Sequence, residues 1–428
     1  MMSYDRHSTV WGRSIMHVCM LTAGVFPPDE RIEQAGAALR ADGHAVTVCA
    51  RGTGSPDHDI ADGVDVRRLP DDELYSGLKG VLDGARYALG FTQPAWLRAA
   101  SDVDDELAID VCCVTDLTLL KTGLKIGTDL DVPVVCDFPS AAAAVASDES
   151  ARGGRVRQYA RRVFHSSWRR NRLLETHLPD ADRLVTTCEE ARAAYVRERD
   201  IDPERVAVVR ETANADLAAT TEPIRGLGFD AERAFVVTVL AEEVSQESLE
   251  TLVAAAARAA DAAADLRLML VGDIDEAALD DLERSARRRL AGGRVTFRTE
   301  VENPASYLAA SDVCVLPGRS RAPETTVPRE LFTALALGVP VLAGETPPLK
   351  RLLGLTGAGL CVRCDEHALT EALVDLSDAE RRAELGANGR AAVDGALNRA
   401  HDAERLRELF ESLLSTPDPD VTIPRAGS

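Results

Sequence analysis

Short apolar runs rich in valine recur along almost the whole chain, and longer stretches with helical spacing lie between them. A strand that is apolar at every position has both faces buried, which a parallel sheet covered by helices provides. The alternation therefore predicts an α/β protein with helices on both faces of each sheet. In the first half, strands are expected at Met16–Leu21, Ala45–Cys49, Val64–Leu69, Val111–Val114, Val132–Asp137, Arg183–Thr187 and Val206–Arg210. A second series begins near Phe229, with strands expected at Ala234–Leu240, Arg267–Val271, Val295–Arg298, Val313–Leu316, Val339–Ala343 and Leu360–Val362. Between the series, Pro223, Gly226 and Gly228 mark a linker. The expected division is a disordered leader over 1–15, a domain over 16–215 and a linker over 216–230. A second domain over 231–395, a C-terminal helix over 396–415 and a Pro-containing, disordered tail over 416–428 complete it. Two doubly wound domains facing a cleft suit a nucleotide-like or sugar-like ligand at the carboxyl ends of the strands.

A net charge of −21 excludes a general nucleic-acid binder, which needs a basic footprint. Only four of the 49 basic residues are lysines (Lys79, Lys121, Lys125 and Lys350). An acidic, lysine-poor, alanine-rich chain has the composition of a halophilic protein, because salt screens its self-repulsion. Neither a long uncharged apolar run nor the apolar stretch of a signal peptide is present, so a cytoplasmic location is expected. Most of the nine cysteines lie in strand-like runs, as small hydrophobes do. Cys361 and Cys364 have C-x-x-C spacing without a second pair or a histidine cluster, so no metal site is expected.

Several segments resemble glycosyltransferase family 4. Phe26-Pro27-Pro28-Asp29-Glu30-Arg31-Ile32-Glu33 with Gly43–Val48 is similar to the family's opening loop and helix. Ala181–Glu190 and Ile201–Val206 resemble the close of its N-terminal domain, and Leu270–Asp273, Tyr307–Val313 and Ala336–Val341 resemble its donor domain. The likeness runs from residue 16 to about residue 415. It implies the GT-B fold, two Rossmann-like doubly wound domains facing a cleft, with an N-terminal acceptor side and a C-terminal nucleotide-sugar (donor) side. The implied activity is retaining transfer of a sugar from a nucleotide-diphosphate sugar to a glycan or polyprenyl-lipid acceptor. Neither a cofactor nor a metal is expected, since basic groups and helix dipoles neutralise the leaving diphosphate in such enzymes.

The resemblance assigns site residues one by one. Gly24, in the loop after the first strand, is a donor contact whose backbone approaches phosphate. Glu324, Thr325, Thr326 and Arg329 are the remaining donor contacts, and Asp116 and Asp137, at strand ends, are the catalytic candidates on the acceptor side. A strand-end Asp equally well caps the next helix. Several other positions depart from the family. Glu242 and Glu247 stand where an Arg and a Lys would hold the diphosphate, and each reversal costs about 4 kcal/mol per unit pair at close range. The family's pair of carboxylates falls at Thr325 and Thr333, Glu330 replaces a common Lys, and Thr115 and Pro139 replace histidines.

One stretch opposes the acidic average. Residues 151–173 carry eight arginines and no acid, with Val156, Tyr159, Val163, Phe164 and Trp168 at helical spacing. A basic amphipathic helix can lie on an anionic membrane, which makes Arg161, Arg162, Trp168 and Arg169 acceptor-side or membrane-side candidates and the inner membrane face a peripheral site. Equally, it can be a packed helix whose arginines pair with neighbouring carboxylates. Two functions stand side by side: an active transferase, and a non-catalytic paralogue acting as scaffold for an active one. The reversed charges favour the second, the shared architecture the first.

Overall fold

The computed structural model describes residues 9–10, 13–52, 59–61, 63–69, 90–139, 167–231, 233–240, 244–263, 265–272, 276–290, 294–299, 301, 303–317 and 325–414. They form two compact units. The first takes the chain to Thr187, then Ala191–Val209 and the segment from Ala403 onward; the second takes Cys188–Glu190 and Arg210–Asp402.

Seven parallel strands build the first sheet: β1 (His17–Val25), β2 (Ala45–Arg51), β3 (Val64–Leu69), β4 (Val111–Val114), β5 (Val134–Asp137), β6 (Arg183–Thr186) and β7 (Val206–Val208). They lie in the order β7-β6-β5-β4-β1-β2-β3, with a short antiparallel strand, Asp59–Ala61, at the β3 edge. The second sheet contains β8 (Phe235–Leu240), β9 (Leu266–Val271), β10 (Val295–Arg298), β11 (Val313–Leu316), β12 (Val341–Gly344) and β13 (Gly359–Val362), ordered β10-β9-β8-β11-β12-β13. In both sheets the first strand sits inside, and the winding reverses between it and the fourth. That reversal is the point where the two flanking loops leave in opposite directions and open a crevice beyond the carboxyl ends.

The helices that matter to the site are α1 (Glu30–Ala41), α2 (Pro94–Glu106), α3 (Leu120–Leu130), α4 (Ser167–His177) and α5 (Glu189–Arg199). In the second half they are α6 (Gln246–Ala259), α7 (Glu276–Arg289), α8 (Arg329–Leu337), α9 (Pro347–Thr356), α10 (Glu366–Asp375), α11 (Ala379–Asp394) and α12 (Arg399–Leu414). Helix α1 begins where the sequence demands it. The Asp29 carboxylate accepts from Arg31 N and Ile32 N, both at 3.1 Å, and Glu33 accepts from Asp29 N. Its inner face (Ile32, Leu39) joins Met16, Val18 and Met20 in a core that α12 completes with Leu406, Leu409 and Phe410. The stretch read as a linker is packed: Leu227 is buried in the second unit's core, and Ile224 N donates to Ser306 O. Arg210, ahead of it, already belongs to that unit.

Seven of the nine thiols are buried. Cys19 and Cys49 have sulfurs 3.9 Å apart, but Cys49 pairs with Leu21 and Cys19 with Thr47, so the two lie diagonally. That offset puts their α-carbons roughly 7–8 Å apart, too far for a disulfide without backbone movement. Burial pushes the Cys112 and Cys113 thiols well above the ordinary range, as expected of inert core groups. Cys361 packs on one face of the second sheet and Cys364 on the other, so this spacing does not make a ligand pair.

Helix α3 packs on its sheet through Gly123 and Gly127. A β-carbon on Gly127 would lie 2.3 Å from a Val134 methyl and 2.9 Å from the Val132 carbonyl. Gly127→Ala is therefore expected to lower unfolding stability by about 2–3 kcal/mol, read from urea denaturation. An unchanged midpoint would show that the helix can stand further off.

Candidate functional site

In the first unit the crevice opens between the ends of β1 and β4. Three long side chains fix the loop after β1 or its surroundings. Trp96, on α2 and 1% exposed, donates its indole N–H to Thr22 O at 3.1 Å. Arg68 donates to Phe26 O at 3.1 Å. Arg31, in the first turn of α1, grips Asp137 at the end of β5, with Nε 2.9 Å from both carboxylate oxygens and Nη2 2.5 Å from Oδ1. Between these anchors Gly24, Val25, Pro27 and Pro28 are exposed, Val25 by 52%. Gly24 spends its N–H on Thr22 Oγ1 at 3.1 Å, so that donor is already engaged. Its backbone does not require glycine: φ is not left-handed, and a β-carbon would meet only Thr22 Oγ1 at 3.4 Å.

Asp116 and Asp137 follow adjacent strands, and each has a structural partner. Asp116 caps the turn after β4 by accepting from Thr118 N at 3.1 Å and Thr118 Oγ1 at 2.9 Å. Asp137 is 6% exposed inside the Arg31 fork. Thr115 turns its hydroxyl onto Leu21 O at 3.1 Å, so the position where the family carries a histidine here supports the strand ladder. Thr186 and Thr187 both donate to Pro139 O.

In the second unit the reversal lies between β8 and β11. After β8, Ser245 caps α6 by accepting from Ser248 N, and Glu247 stands exposed in its first turn. Beyond β11, Thr325–Pro328 leads into α8, whose first residue, Arg329, is exposed. Cys188 donates its thiol hydrogen to Thr325 O at 3.0 Å. Glu330 lies close enough to Cys314 that its charge adds to burial in raising that thiol. Thr333 turns back onto Arg329 O at 3.4 Å, a hydroxyl bound to its own helix where the family has a carboxylate. Gly338, with φ +71°, ends α8 in the left-handed conformation.

Thus Thr325, Thr326 and Arg329 come together at the mouth of the second sheet, while Gly24, Asp116 and Asp137 belong to the first unit. Glu324, Glu242, Arg161 and Arg162 lie outside the described residues, as do the side chains of Trp168 and Arg169 on α4. Within α4, Leu173 and Leu174 are buried while Asn171, Arg172 and Glu175 are exposed. Among the described residues no helix is long and apolar enough to cross a membrane, and no group of three His, Cys, Asp or Glu side chains is placed to hold a metal. Trp96 escaped the sequence reading because it lies outside every quoted motif. Arg31 and Cys188 were inside motifs, but their partners are 106 and 137 residues away.

Residues 28–211 match the family described as Glycosyl transferase 4-like domain, and residues 233–379 match Glycosyl transferases group 1. The chain belongs to the group 1 glycosyltransferases. Its α/β architecture is the GT-B fold, shared with solved structures of low identity. Sucrose-phosphate synthase from Thermosynechococcus elongatus is 21% identical with a TM-score of 0.67, covering 93% of this chain and 99% of its own. A glycosyltransferase from Rickettsia africae is 10% identical with a TM-score of 0.69, covering 94% and 100%. Anabaena HepE, solved in complex with UDP and glucose, is 15% identical with a TM-score of 0.65, covering 93% and 100%. No curated protein matches the chain.

For this glycosyltransferase, Asp137→Asn is expected to cost about 2 kcal/mol of stability in urea, because it removes the charged acceptor of the partly buried Arg31 guanidinium. A carboxylate whose only role was catalytic would leave the unfolding curve in place.

Proposed function

We propose that the chain transfers a sugar from a nucleotide-diphosphate sugar to a glycan or polyprenyl-lipid acceptor with retention at the anomeric carbon. The observation that carries this reading is the placement of Thr325, Thr326 and Arg329 at the entry to α8, just beyond the winding reversal of the second sheet. Helix α8 offers its N-terminal dipole there, and Arg329 adds a full positive charge for the leaving diphosphate. HepE, of the same fold, was solved with UDP and glucose, which supports a nucleotide-sugar donor. Gly24, near the end of β1, leaves open the space a side chain would fill, on a backbone that does not require glycine.

In the step itself, the bond from the anomeric carbon to the diphosphate oxygen breaks. The acceptor oxygen bonds to that carbon on the same face, and its proton passes to the departing phosphate. This route needs no protein base, which suits an acceptor side where Asp116 and Asp137 are already engaged as cap and ion-pair partner. Both act there as the frame of the acceptor side. No metal or other cofactor enters the scheme.

A second reading, a non-catalytic paralogue that scaffolds an active transferase, is favoured by Glu247 in the first turn of α6 and by Thr333 bound to its own helix. Thermal unfolding in high salt with UDP, GDP, ADP and dTDP and their sugars separates the two. The transferase reading expects saturable stabilisation by one nucleotide, and Glu242→Arg with Glu247→Lys should tighten that nucleotide by about tenfold or more. No shift with any nucleotide would sink it.

With a polyprenyl-lipid acceptor, the basic stretch around Arg161, Arg162, Trp168 and Arg169 would dock the chain on the inner membrane face. Replacing Arg161, Arg162, Arg169 and Arg170 by Ser should release it from anionic liposomes in flotation assays. An unchanged bound fraction removes the membrane from the scheme.

A further inference from the structure

We propose that Cys188 is a positioning residue for the donor site, acting through the Thr325–Thr326 peptide. The inference rests on the donor reading above. Cys188 is completely buried at the start of α5, and its thiol donates to Thr325 O at 3.0 Å. A trans peptide points its C=O and N–H to opposite sides, so fixing that carbonyl also fixes the direction of Thr326 N–H. The two threonines it orients are the ones placed at the entry to α8.

Cys188 is itself held by its neighbours in the chain. Arg351, on α9, forks onto Glu190 at 2.7 and 3.0 Å and reaches Glu189 at 2.5 Å. Arg210 donates to the other oxygen of Glu189. Burial pushes the Glu190 carboxyl up, but the Arg351 hydrogen bonds and charge, the Glu190 N–H and the Cys188 thiol together hold the group below its usual range. Two arginines and two glutamates thus pin residues 189–190, and the thiol just before them lies within hydrogen-bond reach of both Thr325 O and the Glu190 carboxylate. A thiol that only filled space would need neither these partners nor the frame.

The test titrates UDP, GDP, ADP and dTDP by calorimetry against wild type, Cys188→Ala, Cys188→Ser and Arg351→Lys, with ligand-free unfolding recorded for each. Cys188→Ala should weaken the nucleotide that wild type binds by about tenfold, whereas Cys188→Ser, whose hydroxyl can donate to the same carbonyl, stays within about threefold. Arg351→Lys keeps the charge but loses the fork, so it should weaken binding as the alanine variant does and carries the test if that variant does not fold. Variants that lose stability yet bind as wild type overturn the proposal and leave the donor reading standing. Wild type that binds none of the four overturns both.

Discussion

Parallel strands cannot be joined by tight turns; each needs a crossover that returns over one face of the sheet. The strand order of both sheets follows from that constraint. Because crossovers of one hand cover one face while the chain winds in one direction, covering the second face requires starting again from the middle. The first strand of each sheet is therefore central, and its neighbour on the other side is the fourth. Loops that leave β1 and β4, or β8 and β11, diverge and cannot close over the carboxyl ends. Gly24 and Asp116 occupy one such opening, and Thr325 to Arg329 border the other.

This layout was legible because burial on both faces leaves an unbroken apolar run. Val111–Val114 and Val313–Leu316, buried at every position, have the bounds read from sequence, and so do Val64–Leu69 and Val295–Arg298, which are only partly buried and carry polar residues. β1 runs on to Val25, past the expected Leu21, because backbone pairing to Arg51 continues after the apolar pattern ends. Helix α2 was not anticipated, although its buried residues Trp96, Ala100 and Val103 follow the i, i+4, i+7 spacing of one helix face. In the stretch over 216–230, where a proline and two glycines mark a linker, Leu227 and Phe229 pack against the second core.

The site was legible as a set of positions and much less as a set of roles. Spacing can say that Asp137 ends a strand, but not that Arg31, from the far side of the motif map, encloses it. The same limit applies to Thr115. Its family position suggests a lost histidine, whereas its hydroxyl bond to Leu21 O shows a residue recruited by the sheet. Long-range partners of this kind are set by topology, and topology enters a sequence only through patterns of burial. A hydrogen bond between residues about a hundred positions apart leaves no local trace.

The two engaged aspartates bear on the chemistry more than a free one would. An inverting transfer needs a carboxylate or imidazole able to take the acceptor proton, and such a base has to be unpaired and near water or substrate. Asp137 meets neither condition: accepting a proton there would strip Arg31 of its counter-charge inside a buried pocket. Asp116 receives both Thr118 bonds on Oδ1, which fixes the carboxylate over the turn it caps. A retaining route takes its proton acceptor from the departing phosphate, so it can use both residues as frame. On the proposed donor side the second unit carries Arg329 and the N-terminus of α8, with Glu247 exposed in the first turn of α6.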